Sequence, residues 1–344
     1  MINRRRFVGA AAVGLPAVSF LGTRPARAEI KEIRILEDGG ISSKAWEAGF
    51  ITPFTKKTGI KVVQESPNSL GRLRALVEAR QTDVVLSTGM SSVNMLIAQR
   101  LELLEPIDWA AVNPAPIFPE AKKEYGLGHQ YFSTVMAWRA GMKELKSWAD
   151  FFDATAFPGK RVLIDMPHYC LPFAVLATGV AVEKLYPLDV DAGFKKLREF
   201  KNNVSVWSTT VPQGAQLLRD NEVQYGICFA TRVVGDSALG MTWAGGKLDI
   251  AYACIVKNSK LEDRAAAYKL LHEMTLPENE AKYAEIHTTL GASVDLEQYL
   301  PKDQLWKFAN SKQNKMVQWL ENSQWWADNG EAVNKEWQQF KLSL

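Results

Sequence analysis

Cysteine and histidine are scarce in this chain, with three of one and four of the other among 344 residues. Cys170, Cys228 and Cys254 are widely spaced and odd in number, so they cannot all pair internally. Buried free thiols are the expected state, and a Cys228–Cys254 disulfide is the pairing an oxidising compartment would allow. His129, His168, His272 and His287 lack metal-ligand spacing, so no metal site is expected. His272 falls between core-type helix positions and reads as a surface or boundary residue rather than a ligand. The chain also lacks a G-x-S-x-G elbow, a Walker-type G-x-x-x-x-G-K-[ST], a G-x-G-x-x-G and an H-E-x-x-H. No cofactor and no catalytic residue are therefore expected, and the chain is not read as an enzyme. The acid pairs Glu262/Asp263 and Glu278/Glu280 fall at helix starts, where they complement the helix dipole.

Long apolar runs are missing too, apart from the N-terminus. There, Arg4-Arg5-Arg6-Phe7-Val8 precedes a small and apolar stretch from Gly9 to Leu21, and Ala26-Arg27-Ala28 follows. A cationic segment, an apolar segment and an A-x-A site in that order predict a signal peptide over residues 1–28, cleaved near Ala28. The arginine cluster fits the twin-arginine (Tat) type, which exports folded proteins. The apolar run is too short to cross a bilayer of about 20 helical residues, and Pro16 interrupts it. Removing Arg4, Arg5, Arg6, Arg24 and Arg27 takes the formal charge from +3 to −2. The basic bias thus belongs to the leader, and the expected mature protein has no electrostatic footprint for nucleic acid. The expected location is the periplasm.

What is present is an alternation of strands and helices. Ile33 and Ile35 mark a strand ended by Asp38-Gly39-Gly40. Ser42 or Ser43 is the expected cap of a helix bearing Trp46, Phe50 and Phe54, closed by Thr58-Gly59. Further strands are read at 60–63, 84–86, 161–164, 204–207, 223–228 and 251–256. Ser87-Thr88-Gly89 is read as a loop. Helical stripes fall at Leu70/Leu73/Leu76/Val77, at Phe194/Leu197/Phe200 and at Ala267/Leu270/Leu271/Met274, with another helix opening near Pro212-Gln213. The pattern predicts an α/β protein with mainly parallel sheets covered by helices. At about 150 residues per domain, the 316 residues from Glu29 onward suffice for two units.

Six segments carry a family resemblance. They are Pro53-Phe54-Thr55-Lys56-Lys57-Thr58-Gly59-Ile60-Lys61-Val62, Asp83-Val84-Val85-Leu86-Ser87-Thr88, Ser147-Trp148-Ala149-Asp150-Phe151-Phe152 with Phe157-Pro158-Gly159-Lys160, Leu185-Tyr186-Pro187-Leu188-Asp189, Gln216-Leu217-Leu218-Arg219-Asp220-Asn221-Glu222-Val223, and Trp325-Trp326-Ala327-Asp328-Asn329. In that order, from about Ile33 to about Trp337, they resemble extracellular solute-binding proteins of the spermidine/putrescine type. The resemblance implies a two-lobed, type II periplasmic-binding-protein fold that closes like a hinged clamp. It implies residues 29–135 plus 250–305 as lobe 1 and 136–249 plus 306–344 as lobe 2. It further implies a monomeric substrate-binding component that hands a small solute to the membrane permease of an ABC importer.

The same resemblance places ligand contacts. First-lobe loops supply Asp38 and Gly39, and Ser87 and Thr88. The second-lobe loop that bears two acids in polyamine binders falls on Met166-Pro167-His168-Tyr169, leaving Asp165 as its carboxylate. The strand-end aromatic falls on Phe229, with Arg232 three residues on. The acid of the returning crossover falls at Ala251, beside Tyr252. Gln213 and Trp326 complete the candidates, with Thr209 and Thr210 before the Gln213 helix open to either capping or anion contact. Fewer acids and an added guanidinium favour a carboxylate- or phosphonate-bearing solute, with a polyamine as the alternative. A ferric-ion binder lacks its adjacent tyrosines around Tyr225, and an exported enzyme is the remaining class.

Overall fold

The computed structural model describes residues 30–80 and 83–344, so the leader segment lies outside the described residues. Eleven strands form one sheet: β1 (Glu32–Leu36), β2 (Lys61–Glu65), β3 (Val84–Ser91), the short β4 (Leu104–Glu105) and β5 (Lys122–Lys123), the long β6 (Gly126–Arg139), β7 (Arg161–Ile164), β8 (Val204–Ser208), β9 (Tyr225–Phe229), the longer β10 (Leu239–Val256) and the short β11 (Trp319–Leu320). The main order is β2-β1-β3-β10-β6-β9-β7-β8. Pairing is parallel at both ends, among β2, β1 and β3 and among β9, β7 and β8, as expected for strand-helix alternation. The centre departs from the expected parallel pattern. There β3-β10, β10-β6 and β6-β9 all pair antiparallel.

Side chains gather into separate cores on the two sides of this centre. Ile33, Trp46, Phe54, Val85, Leu270 and Tyr283 form one around β1 and β3, with a neighbouring cluster around Leu36, Met95 and Tyr252. Phe151, Leu163, Phe173, Phe194, Trp326 and Trp337 form another around β7. The segment 306–318, expected to pack in the second half, instead places Phe308 and Ala309 in first-half clusters. The second half resumes at Trp319 and continues into the helix Ser323–Lys341. Among the described residues no helix is long and apolar enough to cross a membrane.

Local sequence explains most elements. Trp46, Phe50 and Phe54 are all buried along one helical run, which includes a π-helical turn at Glu47–Ile51. Its cap is Gly40 rather than a serine, and the Ser43 hydroxyl donates to Glu37 instead. Gly59 closes the run with a left-handed φ of 72°, a conformation that costs glycine little. The three cysteines are free and buried, Cys228 and Cys254 included.

The central strands carry an ionic group beneath the site. Lys247 is fully buried on β10; its ammonium ion-pairs with Glu321, donates to the His168 carbonyl at 3.1 Å and lies 4.0 Å from the Tyr169 ring centroid. Asp249, two residues on, accepts from Ser92 Oγ at 2.5 Å. Burial pushes the Glu321 carboxyl up to about 8; Lys247 pulls it down and Asp249 pushes it further up. Truncating Lys247 strands the buried Glu321 carboxyl group and removes the support of Tyr169. Lys247→Ala is expected to cost about 3 kcal/mol in urea unfolding, the scale for breaking a buried pair, and a loss under about 1 kcal/mol would contradict this role.

Candidate functional site

Ligands of open α/β sheets bind beyond the carboxyl ends of the strands. Here those ends converge on one cleft of about 950 Å³. Asp38 and Gly39 follow β1, and Gly89 and Ser91 end β3. Met166, His168 and Tyr169 follow β7, Thr209 and Thr210 follow β8, and Thr231 and Arg232 follow Phe229 at the end of β9. Gln130 and Phe132 of β6 and Ala251 of β10 form the floor; Phe132 faces Asp249 and Gln130 faces Ala251 in the antiparallel register. Two helices add walls. Val93, Asn94 and Ile97 come from Ser92–Arg100, and Trp326, Gly330 and Asn334, spaced by four, come from Ser323–Lys341.

Of the expected contacts, Asp38, Gly39, His168, Tyr169, Phe229, Arg232 and Trp326 line the cleft. The structure places the others elsewhere. Ser87 and Thr88 are buried within β3 rather than in a loop; Ser87 Oγ donates to Asn68 Oδ1 at 2.9 Å and Thr88 Oγ1 to the Leu36 carbonyl at 2.9 Å. Tyr252 is buried, its hydroxyl donating to the Glu120 carbonyl at 2.8 Å. Gln213 turns back to accept the Thr209 amide at 3.1 Å. Asp165 accepts from Trp337 Nε1 at 2.9 Å and from the Lys341 ammonium, which fastens the C-terminal helix to β7. Gln130, Phe132, Ser91, Asn94, Arg100, His287 and Asn334 line the cleft without having been expected there.

Few charges on the wall remain free for a solute. The Arg100 fork reaches the Ala327 carbonyl at 2.5 Å and the Asp328 carboxylate, which joins the helix Ser92–Arg100 to the C-terminal helix at the mouth. Glu331 pairs with Lys335 at 2.9 Å. That leaves Asp38 on the first half and Arg232 on the second as the wall's acid and guanidinium without a side-chain partner among the described residues. Asp38 is exposed to the open cleft but closely surrounded; burial and then the neighbouring Glu37 carboxylate push its carboxyl up to about 6. Both Glu37 oxygens are occupied, by the Gly39 amide at 2.8 Å and by Ser43 Oγ at 2.6 Å. Burial holds His168 well below its usual range, helped by Lys247, and lowers His287, helped by Arg232.

The same cleft carries an aromatic shelf. Tyr169 meets Phe229 edge-on with ring centroids 5.1 Å apart, Phe132 lies 6.2 Å from Phe229, and His168 lies 5.8 Å from Trp326. Such rings hold methylene groups and, face-on, cations. Among the described residues, no three His, Cys, Asp or Glu side chains gather as a metal centre requires.

The model of the family described as bacterial extracellular solute-binding protein matches residues 49–307. This chain belongs to that family. The solute-binding protein is 28% identical over 275 residues to the gamma-aminobutyric acid-binding protein of Pseudomonas aeruginosa, covering 76% of each chain. An ABC transporter substrate-binding protein from Bradyrhizobium japonicum USDA 110 superposes with a TM-score of 0.84 at 28% identity, over 90% of this chain and 99% of the other. The Atu4243–GABA receptor superposes at 0.79 with 26% identity, over 90% and 97%. The fold is that of periplasmic binding proteins, a mixed sheet flanked by helices.

The placement of Asp165 has a direct consequence. Asp165→Asn weakens two charge-assisted bonds to the C-terminal helix. It is expected to lower stability by about 1–3 kcal/mol in thermal or urea unfolding while leaving solute affinity unchanged. Loss of affinity in a folded variant would put Asp165 back in the site.

Proposed function

We propose that this protein is the substrate-binding component of an ABC importer and that its cleft closes on a small zwitterion carrying an ammonium and a carboxylate. The division of the two cores across β6 and β10 is the division we take as the two lobes. The observation that carries the reading is the charge pair facing one cleft from opposite halves, Asp38 after β1 and Arg232 after β9. A guanidinium fork matches a carboxylate, and an aspartate matches an ammonium. Closure of the halves brings the two groups toward each other around one solute.

A polyamine fits this wall less well. Each buried ammonium needs an anion, and a polyamine would meet one free acid and an unpaired guanidinium. The positions where acids were expected from the polyamine-type resemblance are Met166, Tyr169 and Ala251, all lining the cleft and none charged. The two relatives named for gamma-aminobutyric acid support an ω-amino acid as the chemical class. The Ser91, Asn94, Gln130 and Asn334 side chains add donors and acceptors suited to a substituted amino acid as well. The N-terminal segment is proposed to direct export by the twin-arginine route.

Calorimetric titration with gamma-aminobutyrate, β-alanine, putrescine and spermidine tests the class. The ω-amino acids are expected to bind one-to-one and raise the melting temperature, because they stabilise only the folded form. Arg232→Ala is expected to cost about 2–5 kcal/mol of that affinity. Tight putrescine binding that survives Arg232→Ala would overturn the zwitterion reading. A pH profile gives an independent check. Ammonium binding needs Asp38 ionised, and the groups around it are Glu37, Tyr283 and the neutral His129, with Arg232 and His287 also on the cleft wall. With the Asp38 carboxyl at about 6, affinity is expected to fall roughly tenfold from pH 7 to pH 5. A flat profile over that interval would exclude Asp38 as the ammonium partner.

A further inference from the structure

Asp38 is not free to point where it likes. β1 and β3 run parallel with Leu36 opposite Ser87, so Asp38 and Gly89 each stand two residues beyond that matched pair. Gly89 has a φ of 73°, and a Cβ built on it would lie 2.4 Å from Asp38 Oδ2 and 2.9 Å from its Cγ. The Asp38 carboxylate therefore rests on the bare face of Gly89, in space that any side chain at position 89 would claim. The Gly89 amide is held in turn. It donates to His129 Nε2 at 3.3 Å, on an imidazole that is fully buried on β6 and packs edge-on against Trp46 with centroids 5.2 Å apart. Accepting that amide fixes the tautomer, with the His129 proton on Nδ1.

Resting on the zwitterion reading, we propose that Gly89, held by His129, is a positioning residue that aims the Asp38 carboxylate into the cleft and so sets recognition of the solute's ammonium end. Neither residue touches the ammonium itself. Their effect passes through Asp38, which makes the role separable from a general loss of packing. A structural defect weakens every ligand alike, whereas a misplaced Asp38 weakens only ligands that carry the amine.

The test compares gamma-aminobutyrate with butyrate, its counterpart without the amine, by competition calorimetry. Wild-type protein is expected to prefer gamma-aminobutyrate, and Gly89→Ala to reduce that preference at least roughly tenfold while butyrate binding persists. If the effect runs through Asp38, Asp38→Asn combined with Gly89→Ala binds gamma-aminobutyrate no worse than Asp38→Asn alone. A Gly89→Ala protein that keeps the wild-type preference, or a double variant whose losses simply add, overturns the inference. Wild-type protein that shows no preference for the amine sinks the zwitterion reading itself, and this inference with it. Because alanine is strained at a φ of 73°, His129→Phe provides the second variant; it removes the acceptor of the Gly89 amide and leaves the glycine in place. An unchanged preference in His129→Phe overturns the role given to His129.

Discussion

The antiparallel pairing of β6 with β10 is the constraint on which the rest of the molecule depends. The register runs from Leu239 opposite Arg139 to Ala253 opposite Leu127, so both halves hang on one hydrogen-bonded ribbon. It shifts twice, between Ala251 and Tyr252 and, more widely, between Thr242 and Lys247, where Trp243 to Gly246 bulge out. The Gly245 carbonyl there accepts from Trp148 Nε1 at 2.8 Å and Trp319 Nε1 at 3.0 Å, which anchors the bulge to the second-half core. The same ribbon supplies the cleft floor through Gln130, Phe132 and Ala251. Lys247 and Asp249 share that face and are sealed from water. The proposed closure of one half against the other would act on a floor whose buried Lys247 and Glu321 are already paired.

Charge matching also decides what the cleft has to offer. Arg100 is committed to Asp328 and Ala327, Glu331 to Lys335, and Lys247 to Glu321. Exposed pairs such as Arg100–Asp328 are worth little individually, but each still satisfies charges that a ligand would otherwise meet. Asp38 and Arg232 stand out because neither has a side-chain partner among the described residues. A solute with one charge of each sign completes both, and a solute with charges of one sign completes only one.

Much of this was legible in the sequence, and for physical reasons. The strand β7 and the helices carrying Phe194 and Leu270 have short, regular apolar patterns that the structure reproduces. The candidates Asp38, Tyr169, Phe229 and Arg232 came from the family resemblance, and each follows or ends a strand, where ligands of such sheets bind. The floor was not legible. β6 is covered on both faces over most of its length and mixes Gly, His, Ser and Thr with apolar residues, so it shows no alternation to read. Only the last third of β10 was read as strand, for the same reason. Asp165 looked like a ligand because it sits beside the right loop. Its partners, Trp337 and Lys341, lie more than a hundred residues away in sequence, and no local pattern announces that contact. Arg100 and Asn334 lie on helices whose cleft-facing side only tertiary packing selects.

The most direct test of the account is a crystal structure of the closed protein with gamma-aminobutyrate bound. The account predicts the ammonium within hydrogen-bond distance of the Asp38 carboxylate, the carboxylate on the Arg232 guanidinium, and the methylene groups against Tyr169 and Phe229. A solute whose charged ends both engage other groups, with Asp38 and Arg232 left in solvent, would contradict it.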